Sequence, residues 1–171
     1  MEAIFNTGVI YQYASLRDGS RVRGKASGCL RTLTIRWRTS RSTCRLAVLL
    51  DTHAFLWWCQ DASELSKKAR RIMAKEECLL SVASLWEMSI KVSQGKLKLP
   101  GGFDRYIPEQ MALNGFTQLA IGFRHVAGCG RLPWHHRDPF DRLLIAQAIE
   151  EDLRVISRNS VFGKYGVTQI W

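Results

Sequence analysis

Leu46-Ala47-Val48-Leu49-Leu50-Asp51-Thr52-His53 decides how this chain is read. Five consecutive apolar residues ending abruptly in a carboxylate are the pattern of a strand buried on both faces, as a parallel sheet covered by helices requires. Asp51 then stands at the carboxyl edge of that sheet, where open α/β folds gather ligands and catalytic groups. The same residue also suits the N-cap of a helix beginning at Thr52, since Asp is a favoured cap. Either way it lies at one edge.

Downstream the pattern repeats. Ala54 to Trp58 continues as a short buried helix, and Ser63-Glu64-Leu65-Ser66 opens a helix over Lys67 to Ala74 with Lys/Arg on its solvated face. Cys78 to Val82 reads as a second buried strand, followed by a helix from about Ser84 to Ser93 that stops before Gly95. Phe103 to Asn114 is a further helix closed by Gly115, and Thr117 to Ile121 a third strand. A short helix from Phe123 leads to punctuation at Gly128 and Gly130. After the loop Leu132-Pro133-Trp134-His135-His136-Arg137 come a helix over Pro139 to Glu151, a strand over Leu153 to Ser157, a helical turn near Val161 and a strand over Val167 to Ile170. Alternating strands and helices imply a doubly wound parallel sheet with right-handed crossovers.

Upstream of Leu46 the character is different. Residues 1–45 lack sustained periodicity and hold nine Lys/Arg against Glu2 and Asp18, so most of the +10 net charge sits there, leaving 16 bases and 13 acids from Leu46 onward. The expectation is a basic, disordered N-terminal extension over 1–45 ahead of a folded domain over 46–171. A nucleic-acid-binding arm and an Arg- and Ser-rich targeting peptide are the competing readings. Because the globular part is only mildly basic, a nucleic-acid role cannot rest on charge alone.

Five cysteines, odd in number and without metal-ligand spacing, point to reduced thiols and a cytoplasmic location, not to a zinc site or disulfide frame. No run approaches the roughly 18 apolar residues a membrane span needs, so no membrane partner is expected.

Three acidic positions fall at the same kind of place: Asp51 ending the first strand, Glu87 at the start of the helix after the second, and Asp138 with Asp141 opening the helix after the Trp134 loop. Each has a plain structural role available. Ser84-Leu85-Trp86-Glu87 is a capping-box pattern, and Asp138-Pro139-Phe140-Asp141 is a helix start with its cap and Pro in place. In a parallel sheet, however, the starts of the following helices all lie along one edge, so caps and a shared carboxylate cluster occupy the same location. Crowded carboxylates raise one another's pKa unless a cation intervenes. A hard divalent ion that prefers oxygen ligands suits them.

Four blocks in order, Leu49-Leu50-Asp51-Thr52-His53-Ala54-Phe55-Leu56-Trp57, Ser81 to Lys91, Gly95-Lys96-Leu97-Lys98-Leu99-Pro100 and His135 to Ala148, resemble the PIN-domain ribonucleases, most closely the VapC-like toxins of type II toxin-antitoxin systems. The resemblance runs from about Leu46 to Trp171. It implies a three-layer α/β/α sandwich with a central, mostly parallel sheet, and a catalytic set of Asp51, Glu87, Asp138 and Asp141. Asp51, Glu87 and Asp141 are then the ligands of Mg²⁺ or Mn²⁺, with Asp138 an extra acid, cap or occasional ligand. Metal-assisted hydrolysis of RNA phosphodiester bonds follows, with the ion acidifying a water and neutralising charge on phosphate oxygens. A cognate antitoxin and a homodimer are likewise implied.

Where the family often carries a fourth acid in a Thr-Arg-Asp setting, this chain has Ser157-Arg158-Asn159. An amide can still offer an oxygen to a metal or a water but carries no charge, so the expectation is a second ion held more weakly, with single-ion chemistry, an ion arriving with the substrate, or reduced activity as the alternatives. Lys91, Arg137, Arg142 and Arg158 are the residues for substrate phosphates or, equally, for salt bridges to the acids. Trp134 either stacks on a base or closes the core. His135 and His136 are available to contact substrate, although exposed loop histidines are more often neither base nor ligand.

Two rivals remain: a catalytically weak or inactive PIN-like module that binds RNA or a partner, and a phosphatase of the haloacid-dehalogenase type. The phosphatase would need an Asp where His53 stands. A dinucleotide-binding domain would need a glycine-rich turn after the first strand, which is absent.

Overall fold

A computed structural model describes residues 37–38 and 47–171 of the chain. The remainder of the proposed extension, with Leu46, Cys29 and Cys44, lies outside the described residues.

The elements follow in the order β1 (Trp37–Arg38), β2 (Ala47–Leu50), α1 (Thr52–Cys59), α2 (Lys67–Met73), β3 (Glu77–Ser81), α3 (Val82–Ser93) and α4 (Phe103–Asn114). Then come β4 (Thr117–Leu119), α5 (Phe123–Arg131), α6 (Pro139–Glu151), β5 (Arg154–Ile156), a 3₁₀ segment η1 (Ser160–Tyr165) and β6 (Gln169–Ile170). They form a six-stranded sheet in the order β1-β4-β3-β2-β5-β6, parallel at every pairing. Trp37–Arg38, inside the stretch read as an extension, pairs with Gln118–Leu119 as the edge strand.

Strand alternation sorts the core into two layers, as period-two geometry requires. Val48 and Leu50 of β2 face Phe55, Leu65, Met73, Met88, Ile107 and Met111 from α1 to α4 and the α1–α2 loop. Ala47 and Leu49 face Leu144, Ile145 and Ala148 of α6, with Val161 and Phe162 of η1. Helices therefore cover both faces, which is the α/β/α sandwich expected. It also explains why β2 is continuously apolar. Among the described residues no helix is long and apolar enough to cross a membrane.

From β2 the chain winds outward through β3 to β4, then returns to lay β5 on the other flank of β2. The point where winding reverses, between β2 and β5, is where such sheets leave a crevice at their carboxyl ends.

Two local expectations are corrected. Helix α3 begins at Val82, capped by the Ser81 hydroxyl accepting from Ala83 N at 2.9 Å, so Ser84 lies inside the helix and the capping box at Ser84–Glu87 does not exist. Gly128 and Gly130 lie within α5 and do not end it. A Cβ on Gly128 would meet Glu150 Oε1 of α6 at 3.1 Å, so this glycine permits close helix packing. Among the described cysteines, Cys59, Cys78 and Cys129 are free, and burial pushes the thiols of Cys59 and Cys78 up to about 12.

Candidate active site at the β2–β5 crevice

Asp51 follows β2 at the N-cap position of α1, yet its side chain makes no cap hydrogen bond to that helix. Its Oδ2 instead accepts from Ser157 Oγ at 2.7 Å, across the reversal point, while its own N–H donates to Ile156 O at 3.1 Å. Asp51 as a whole is 6% exposed. Burial holds its pKa above the usual carboxylate range; the Ser157 bond and His53 oppose this, and the charge of Glu87 adds to it.

Glu87 lies on the second turn of α3, not the first. Its Oε2 accepts from the fully buried Thr52 hydroxyl at 2.5 Å and its Oε1 pairs with Lys91 Nζ at 2.6 Å. Lys91 is thereby committed to an acid. One turn before Glu87 on the same helical side, Ser84 Oγ is buried with no hydrogen-bond partner among the described residues.

Asp138 caps α6, accepting from Phe140 N at 2.8 Å and Asp141 N at 3.4 Å. Asp141, one turn in, accepts on Oδ2 from His136 Nε2 at 2.8 Å and from Asn159 Nδ2 at 2.9 Å. Burial first, then the charge of Asp51, raises its pKa, with His136 opposing. His136, read from sequence as an idle loop residue, is therefore tied to the acid five residues on. Among the described residues, His136, Asp138 and Asp141 form the group whose ligand atoms lie within 4.8 Å of one another. Asp51 acts electrostatically on Asp141, and Glu87 on Asp51, but neither belongs to that group.

Arg142, a candidate phosphate residue from sequence, is turned inward. It is 4% exposed, and its guanidinium donates to the carbonyls of Pro133 (2.8 Å), Cys129 (2.9 Å), Leu132 (3.0 Å) and His136 (3.4 Å). That pins the 132–137 loop. The guanidinium also lies 4.2 Å from the Trp134 ring centroid, and Trp134 is 78% exposed, so this indole does not close the core. Arg137 and Arg158 are exposed and without an ion pair among the described residues.

The PIN domain family model matches residues 48–167. The chain belongs to the PIN domain family. Among curated proteins no sequence matches it. Solved structures that share the fold include VapBC2 from Rickettsia felis bound to a DNA fragment from their promoter, at 13% identity and TM-score 0.55, covering 72% of this chain and 97% of that one. FitAcB from Neisseria gonorrhoeae is similar at 18% identity and TM-score 0.53, covering 72% of this PIN chain and 96% of that one.

Proposed function

We propose that this PIN domain is a metal-dependent endoribonuclease and the toxin of a toxin-antitoxin pair, with Mg²⁺ or Mn²⁺ held by Asp51, Glu87 and Asp141. The observation that carries this reading is the convergence of the acids on the reversal point of the sheet: the Ser157–Asn159 segment hydrogen-bonds both Asp51 and Asp141, and burial, with a smaller contribution from a neighbouring carboxylate, raises the pKa of each. Buried carboxylates gathered at a sheet's reversal point are poised for a cation. The donor set fits a hard divalent ion, being carboxylate oxygens from three elements beside buried hydroxyls of Thr52 and Ser157. Ser84 Oγ, buried and without a partner among the described residues, adds a polar atom that an ordered water would satisfy.

When bound, such an ion supplies an acidified water and neutralises charge on the phosphate oxygens. The protein's own part is positioning. Ser157 orients Asp51, Thr52 and Lys91 hold Glu87, and His136 fixes Asp141. Arg137 and Arg158, exposed and without an ion pair among the described residues, are suited to the flanking phosphates. Trp134, with one face backed by the buried Arg142 guanidinium, offers its other face to an unpaired base. Such stacking would favour single-stranded RNA.

The resemblance to VapC-like toxins supports a cognate antitoxin and a homodimer. Exposed Phe123 and Val126 on α5 and Ile149 on α6 are apolar surface that a second copy would cover. The purified chain incubated with total RNA, with and without Mn²⁺ and beside D51N, tests the proposal. Mn²⁺-dependent cleavage abolished by D51N is the expected result; RNA binding without cleavage by either would favour the inactive-module reading that Asn159 motivates.

A further inference from the structure

We infer that Ser157 and Asn159 form a hydrogen-bonded brace for Asp51 and Asp141, and that the site consequently holds one divalent ion per chain, not two. The inference rests on the metal-binding reading of the acids above.

The segment after β5 reaches both acids at once. Ser157 Oγ donates to Asp51 Oδ2 at 2.7 Å and accepts from Asn159 N at 3.0 Å. Asn159 Nδ2 donates to Asp141 Oδ2 at 2.9 Å, and its Oδ1 accepts from Val161 N at 3.2 Å as the N-cap of η1. These partners fix the orientation of the amide. A backbone N–H can only donate and an ionised carboxylate can only accept, so the oxygen faces Val161 and the amino group faces Asp141.

The consequence is chemical. Oxygen is the atom of an amide that ligates a hard cation, and here it is spent on the η1 cap. The end turned toward the acids carries hydrogens and partial positive charge. It stabilises ionised Asp141 as a donor and presents nothing to a second ion. Asp141 Oδ2 is doubly supported, by Asn159 and His136, while Oδ1 has no hydrogen bond among the described residues. Such support of a ligating carboxylate sets its direction and tunes affinity, and losing it typically costs about 10–100-fold in metal binding. Aspartate at this position would keep the cap, being an equally good N-cap. It would also set a further negative charge against Asp141, a repulsion that a second cation relieves.

Mn²⁺ titration of the full chain, followed by electron paramagnetic resonance, tests this, with melting in EDTA first establishing that each variant folds. The expected counts are one ion for the natural chain, two for N159D and none for D51N. N159S keeps a capping oxygen but cannot donate an amide to Asp141, and should bind its single ion about 10-fold or more weakly. A natural chain that holds two ions, or N159D that gains none, or N159S with unchanged affinity, overturns the brace while leaving the metal reading of Asp51 standing. A natural chain that binds no Mn²⁺, indistinguishable from D51N, removes the metal reading and the brace with it.

Discussion

Ser157 Oγ and Asp51 Oδ2 lie 2.7 Å apart although 106 residues separate them, and their hydrogen bond crosses the point where the winding of the sheet reverses. Burial lifts the Asp51 pKa and this bond pulls it down. In S157A the restraint is gone, so the pKa moves higher still. The acidic limb of the cleavage-against-pH profile should shift to higher pH, with roughly 10-fold loss of activity at neutral pH. An unmoved limb would mean that Ser157 does not act through Asp51.

D51N separates function from stability. Removing a buried, repelled carboxylate should cost about 100-fold or more in Mn²⁺-dependent cleavage, given that metal assistance is worth several kcal/mol and each 1.4 kcal/mol is about tenfold. The amide oxygen still accepts from Ser157, so the fold persists. In EDTA at neutral pH the variant should be more stable than the natural chain by on the order of 1 kcal/mol, roughly 2–4 °C in Tm for a domain this size. Calorimetry reads that difference directly.

The same acids give the metal-free protein an unusual pH dependence. Asp51 and Asp141 are both raised, so each binds its proton more tightly folded than unfolded. Their contribution is fully present below the unfolded value, about 3.9, and is lost as pH rises through the folded value. This is opposite in sign to an acid in a salt bridge. The stability gap between D51N and the natural chain in EDTA should therefore narrow as pH falls toward about 4. A gap that widens on acidification would show Asp51 to be stabilised in its charged form.

Helix α6 was legible from sequence because its start is chemically explicit: Asp138 caps it, Pro139 fixes the first φ, and the structure begins the helix at Pro139. The start of α3 was not, because Ser81 and Ser84 are equally good caps and local sequence does not choose between them. Pairing does: β3 stays in register with β4 through Ser81 opposite Leu119, so the helix begins at the next residue. Gly128 sits in a helix for a reason on α6, where Glu150 leaves no room for a Cβ. The acids can be proposed from sequence because strand ends and helix starts mark such positions. Their supports, Thr52, Ser157 and His136, were missed because a hydroxyl or imidazole carries no pattern that names its distant partner.

Arg142 illustrates the same limit, since its acceptors are backbone carbonyls that any residue provides. R142A should destabilise the chain by about 2 kcal/mol, leaving several carbonyls of the 129–136 segment unpaired. R142K keeps the charge but not the fork that reaches these acceptors, and should recover little. Thermal melts of the pair check this. Recovery of the full Tm by lysine would show that charge, not geometry, is what the loop requires.

Arg137 and Arg158 carry the opposite expectation. Both are exposed, neither is paired among the described residues, and each flanks an acid-bearing segment. If each neutralises one phosphate of a single strand, R137A and R158A should weaken RNA binding about equally across sequences. Each should also reduce the slope of log affinity against log salt by roughly 0.7. Melting temperature should stay unchanged, because neither side chain makes an ion pair among the described residues. Binding is best measured on D51N, so that cleavage does not consume the probe. A slope identical to that of the parent would place both arginines outside the RNA path and leave substrate capture to the Trp134 loop.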